Sequence, residues 1–369
     1  MKKISILTAM TVMVAAGCAK VQTMPFGQSE KEIIFDAPVI SRATKAATEV
    51  ADEFSTDQSF NVYAHYYENM FTNFSEGKLY MDNVEVAYSE VLEGWDSKEA
   101  GGVNYYWPAQ GTLTFAAYAP NTGVGTVSYG ESGFVFKDFK VADEPEDQID
   151  LLFSERAYNK TVADQLADNP FYSGVQLNFM HALSSIMFKV KVDDMLVGDG
   201  TNNYEFLIRK IEVLGALNQG TFKQNIPTSG NNPTTPMASE SDWVDYSATT
   251  KDYIAFEGSL TVNSKTAVST AGNEANKSNL ILLPQQLYRD QDSKVQVRVS
   301  YDYRHSGMAA GSYISGSAST IDIITSDVAT WLRGKRYVYT LTLGLYEITF
   351  TPKVEAWTLT PDVNLPSIQ

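Results

Sequence analysis

From Ser59 onward the chain is written in short apolar runs that alternate at every second residue, with turn residues between them at roughly ten-residue intervals. Phe60, Val62 and Ala64 alternate with Ser59, Asn61 and Tyr63, and the pattern returns over residues 81–88, 103–107 and 113–118. A period of two places successive side chains on opposite faces of a strand, and it does not draw the stripe that a helix needs every 3.6 residues. Further strands are expected at Phe134–Phe139, at Val175, Leu177 and Phe179, and at Ile186, Phe188, Val190 and Val192. They continue over residues 206–214, 254–262, 280–283, 295–303, 321–324, 337–345 and 348–350. Residues 157–168 read as the one short helix, and residues 226–241, with Pro227, Gly230, Pro233 and Pro236, as a long loop. Short strands separated by turns predict an all-β fold of two tandem antiparallel β-sandwich domains. The best boundary lies in the Asn169–Gly174 turn, giving domains over residues 43–173 and 174–369.

A length of 369 residues, 44% of them hydrophobic, suits two cores. The first residues read as an address. Lys2 and Lys3 precede an apolar stretch from Ile4 to Ala16, too short to span about 30 Å of hydrocarbon as a helix. It ends at Ala15, Ala16, Gly17 and Cys18, and Cys18 is the single cysteine of the chain. Small residues directly before that cysteine resemble a bacterial lipobox, which predicts a signal peptide over residues 1–17 and lipidation at Cys18. Acyl chains there would hold the protein to outer-membrane lipid without a spanning helix.

Chemistry is scarce in the remainder. A net charge of −16 offers no basic surplus for a nucleic-acid partner. His65, His181 and His305 are far apart and lack metal-ligand spacing, so neither a metal nor a cofactor is expected. Residues 130–133 fall one short of a nucleophile elbow, and Gly334–Lys335 lacks the upstream glycine of a phosphate loop. The acidic stretch from Asp143 to Asp147 lacks the ligand order of a calcium loop. No catalytic residue emerges, and an enzyme is not expected.

Several segments, taken in order, resemble the fimbrillin family, the lipoprotein pilus subunits of Bacteroidales-type (type V) fimbriae. They are residues 60–64, residues 105–108 leading to 113–120, and Asp150–Phe153. The most specific is Val175–Ser184, which contains His181, followed by Ile186 and Phe188. Leu283–Gln285, Trp331 with Gly334 and Tyr337, and Ile348 to Trp357 complete the set. The resemblance implies transthyretin-like sandwiches and a structural or adhesive subunit of a cell-surface fimbrium, with other fimbrial subunits as partners. It implies export as an outer-membrane lipoprotein with a lipidated pro-segment over residues 18–42. A trypsin-like surface protease would then cut between Arg42 and Ala43, and polymerisation would follow by donor-strand exchange.

Arg42 follows the β-like run Glu32–Phe35 and is the first arginine of the chain, the next being Arg156. The candidate donor strand is the C-terminal tail with Val354, Ala356, Leu359, Val363 and Leu365, although Pro361 and Pro366 each remove a ladder N–H. The competing reading is a lipid-anchored surface glycan-binding β-sandwich protein. It requires aromatics such as Tyr66, Tyr67, Tyr105 and Trp243 to share an exposed face. The resemblance leaves any host or glycan ligand unspecified.

Overall fold

The computed structural model describes residues 28–36, 38–40, 52–97, 101–166, 174–198, 203–226, 242–270, 279–316 and 318–357. They are almost entirely strand, arranged in several largely antiparallel sheets without a barrel, as the period-two pattern predicts. The N-terminal half is built on a nine-stranded sheet. Its centre pairs Phe60–Tyr67 with Thr112–Ala119 on one side and Lys78–Ser89 on the other.

Every residue of Thr112–Ala119 is buried, because the sheet is covered on both faces. Leu113, Phe115, Ala117 and Ala119 join a core with Phe60, Val62 and Trp107. Ala116 and Tyr118 point the other way, into a core with Phe134, Phe136 and Phe139. This explains why the sequence there is a nearly continuous apolar run.

Phe134, Phe136 and Phe139 belong to a separate four-stranded sheet, in which Gly133–Lys140 pairs with Thr126–Gly130 and with Gln219–Lys223. That last pairing carries hydrogen bonds across the proposed 173/174 boundary. The chain itself crosses between the two halves at Ala182 and Leu183. Asn178–His181 pairs with Leu152–Ser154 in the nine-stranded sheet, whereas Ser184–Val192 enters a sheet of the C-terminal half.

The C-terminal half is two facing sheets. In one, Ser184–Val192 runs parallel to Lys335–Leu343 over eight residue pairs, and Ile348–Ala356 closes the sheet at its edge. In the other, the long strand Tyr204–Leu217 lies between Thr250–Val262 and Gln296–His305. Phe188, Val190, Tyr339 and Leu341 share one core with Phe206, Ile208, Val213 and Val297.

The stretch read as a helix divides into two elements. Ala157–Lys160 is a strand pairing with Leu113 and Phe115, and among the described residues of the stretch Val162–Leu166 is helical. Asn159 takes a positive φ of 54°, which breaks any helical path at that point. The acidic segment after Asp143 holds a single 3-10 turn, Pro145–Asp147. No described helix is long and apolar enough to cross a membrane.

Candidate functional site

The feature that most distinguishes the N-terminal half is how its sheet is completed. Residues 28–36 are wedged between two parts of the later chain. Gln28–Glu32 pairs antiparallel with Tyr106–Pro108. The Ile33 amide donates to the Tyr105 carbonyl at 2.7 Å, and Phe35 exchanges both backbone hydrogen bonds with Trp95 at 2.9 and 3.0 Å. On the opposite side the Val175 amide donates to the Ile34 carbonyl at 2.8 Å, and the Asp36 amide to the Val175 carbonyl at 3.1 Å. Further along, Val39–Ile40 runs parallel to Asn178–Phe179 and antiparallel to Asp52–Glu53.

Side chains follow the backbone inward. Ile33, Phe35 and Ile40 are buried to 2% exposure or less. The Phe35 ring stands edge-on to Phe60 at 6.0 Å and to Phe115 at 5.6 Å, the favoured geometry for aromatic pairs. Gly174 makes the approach feasible. Its φ is +146°, and a Cβ there would fall 2.4 Å from the Phe35 carbonyl carbon. Only glycine lets the two backbones lie so close. The result is a seat formed by Trp95, Tyr105, Gly174 and Val175, with Phe60 and Phe115 as its floor.

Sequence reasoning found the inserted run Glu32–Phe35 but not its seat. Gly174 and Val175 read as a linker and the start of the next strand. The adjacent Gly174–Val175 step, a glycine followed directly by a β-branched residue, was the signal available.

The C-terminal candidates are divided. Val354 and Ala356 lie in Ile348–Ala356, paired with Tyr337 and Lys335. Among the described residues that strand has one neighbour, and its outer half carries Pro352 and a Lys353–Glu355 ion pair. Proline and charges on an edge discourage further pairing. The next residue, Trp357, is buried and stacks on His181 with ring centroids 4.1 Å apart and planes 7° apart. His181 Nδ1 lies 2.7 Å from Asp150 Oδ2, so this histidine joins the two halves of the chain. Cys18, Arg42, Ala43, Leu359, Val363 and Leu365 lie outside the described residues.

The aromatics that the glycan reading needs on one open face are not assembled there. Tyr66, Tyr67 and Trp243 are buried, and Tyr105 is half-buried beside the seat. The Trp243 indole N–H donates to the Ala182 carbonyl at 2.6 Å.

Behind the seat, on the other face of the nine-stranded sheet, Arg156 is sunk among rings. It donates to the Tyr129 hydroxyl at 2.6 Å and to the carbonyls of Gly130 and Glu131 at 2.7 and 2.8 Å. Its guanidinium lies 5.0 Å from the centre of Phe74 and 5.4 Å from that of Tyr129. The His65 ring lies tilted against Phe74, with centroids 4.6 Å apart. Burial, reinforced by the nearby Arg156 charge, pushes the His65 imidazole down to about 4 from its ordinary 6.5. These groups clamp a hairpin onto the sheet. Among the described residues, no group of three histidine, cysteine or acidic side chains could hold a metal.

The chain belongs to the fimbrillin-like family, whose model matches residues 41–357. Its fold is similar to a fimbrial protein from Bacteroides vulgatus, at 16% identity and a TM-score of 0.55, covering 89% of this chain and 100% of that one. It is also similar to a protein described as a cell adhesion protein from Bacteroides uniformis, at 16% identity and a TM-score of 0.50, covering 89% and 98%. Among curated proteins, none is similar to it in sequence.

Proposed function

We propose that this protein is a non-enzymatic structural or adhesive subunit of a cell-surface fimbrium, assembled by donor-strand exchange. Export proceeds as an outer-membrane lipoprotein through Cys18, and a trypsin-like surface protease cuts between Arg42 and Ala43. The processed chain consists of domains 43–173 and 174–369 and associates with other fimbrial subunits.

One observation carries this reading. The inserted run of residues 28–40, which pairs with Tyr106–Pro108, bridges Trp95 and Val175 and adds Val39–Ile40 beside Asn178–Phe179, lies wholly upstream of Arg42, with Ile33, Phe35 and Ile40 in the core. A cut after Arg42 makes that strand a separate peptide, and its loss leaves an apolar trough with unpaired backbone groups at Trp95, Tyr105 and Val175. An extended segment of another subunit satisfies both by β-augmentation.

The donor is best placed beyond Trp357, because Val354 and Ala356 are already committed to their own sheet. Val363 and Leu365 are spaced two residues apart, as are Ile33 and Phe35, and no proline separates them. The test is limited digestion of the full precursor with a trypsin-like protease. The expected result is a new N-terminus at Ala43 followed by an SDS-resistant ladder that Val363→Asp and Leu365→Asp abolish. Cutting at Arg42 that yields only monomer contradicts the proposal.

A further inference from the structure

One short stretch of chain, residues 175–181, touches both the N-terminal insert and the root of the C-terminal tail. At its start Val175 exchanges backbone hydrogen bonds with Ile34 and Asp36, at 2.8 and 3.1 Å. In its middle Asn178 and Phe179 pair with Val39 and Ile40. At its end the His181 ring carries Trp357, with centroids 4.1 Å apart and planes 7° from parallel.

The stretch has little support of its own. Without Val39–Ile40, the ladder neighbour left to Asn178–His181 among the described residues is Leu152–Ser154, over three residue pairs. A four-residue strand on a newly made edge belongs to the parts of a fold that open first. Trp357 is held just as lightly. The ladder of Ile348–Ala356 ends one residue before it, and its amide reaches the Gly334 carbonyl at 3.4 Å, beyond the usual range of a hydrogen bond. Where the two halves of the chain meet there is a cavity of about 680 Å³, and both Ile40 and Trp357 stand in its wall, with Phe54, Ile149 and Asp150. A ring beside a void lacks contacts on that side and has room to turn.

We propose that residues 175–181 are a relay between the insert and Trp357. With residues 28–40 seated, the relay holds His181 flat against Trp357. When they leave, it shifts the His181 ring and releases Trp357. A gap of about 0.5–1 Å already forfeits a quarter to a half of such a contact. One cut after Arg42 then opens the seat and also unfastens the chain beyond Trp357, so an unprocessed subunit keeps acceptor and donor closed together. That purpose rests on the donor-strand reading. The coupling itself is measured in the uncleaved chain, so the two fail separately.

The test labels the full uncleaved chain with 5-fluorotryptophan and follows the Trp357 fluorine resonance, assigned by its loss in Trp357→Phe. Phe35→Ala loosens the insert at a residue outside the cavity wall. It should move the Trp357 resonance toward its position in the unfolded chain and leave that of Trp331 in place. Met81→Ala truncates the same core four strands away from Asn178–His181 and should leave Trp357 unmoved. Coupling is reciprocal, so Trp357→Ala should speed hydrogen exchange at the Asp36 and Val175 amides about fivefold or more, relative to the amides of Phe60–Tyr67. This second arm decides the matter if Phe35→Ala does not fold. The proposal is overturned if Phe35→Ala leaves Trp357 unmoved, or if Met81→Ala moves it as far. Unchanged exchange at Asp36 and Val175 in Trp357→Ala overturns it equally.

Discussion

The two halves of the molecule close their sheets in opposite ways. In the C-terminal half the two facing sheets are built, among the described residues, from strands of the later chain. The parallel pair Ser184–Val192 and Lys335–Leu343 lies inside the sheet, and the edge at Ile348–Ala356 is blunted by Pro352, Lys353 and Glu355. In the N-terminal half residues 28–40 are inserted between later strands, and the core is incomplete without Ile33, Phe35 and Ile40. One half ends in a guarded edge. The other depends on a strand that a single backbone cut would release. On the proposed donor-strand exchange, the subunit gives up the strand its fold treats as an insert and keeps the one its fold treats as an edge.

The largest expected effect contrasts those two strands directly. Phe35→Ala empties a fully buried, doubly edge-stacked site, and should cost about 3–5 kcal/mol in urea unfolding. Phe350→Ala, on the partly exposed edge strand, should cost only about 1–2 kcal/mol. Equal losses would erase the distinction.

Next comes the clamp behind the seat. Arg156→Ala strips donors from the Tyr129 hydroxyl and two carbonyls and removes a cation from between rings, for an expected loss of about 2–3 kcal/mol. Gly174→Ala should cost about 1–3 kcal/mol, because its φ is strained for any other residue and its Cβ would meet the Phe35 backbone. It sharpens the comparison further. The substitution should raise protease sensitivity at residues 28–40 while leaving that of residues 335–356 unchanged.

A further effect is in pH. His65 titrates near 4 in the fold and at its ordinary 6.5 when unfolded, so between those values the unfolded chain binds the extra proton. The His65 contribution is therefore complete above pH 6.5 and is lost as pH falls toward 4. A thermal melting series should show that decline in the wild type, and His65→Gln should flatten it.

Much of this arrangement was legible in the sequence. Alternation at Phe60, Val62 and Ala64 placed the strand and its inner face, and the run at Glu32–Phe35 stood out as β-like before its seat was known. Periodicity reports which face of a strand is buried, but it does not report the neighbour. Hence the pairing of Gly133–Lys140 with Gln219–Lys223, far apart in the chain, left no trace in either segment. The strand Ala157–Lys160 was hidden for a different reason. Among the described residues its ladder partners are Leu113 and Phe115, and its alanine and lysine suit a helix as readily. The cavity was invisible because its polar wall converges from Asp150, Ser185 and Asn279, which no local pattern connects.

The most direct measurement of the account is hydrogen exchange at two amides of the seat, Trp95 and Val175, which donate to Phe35 and Ile34. Both should be protected in the precursor, exposed once the chain is cut after Arg42 and the upstream peptide removed, and protected again in the polymer. Protection that survives removal of the upstream peptide from the monomer would contradict the claim that this strand is an exchangeable insert.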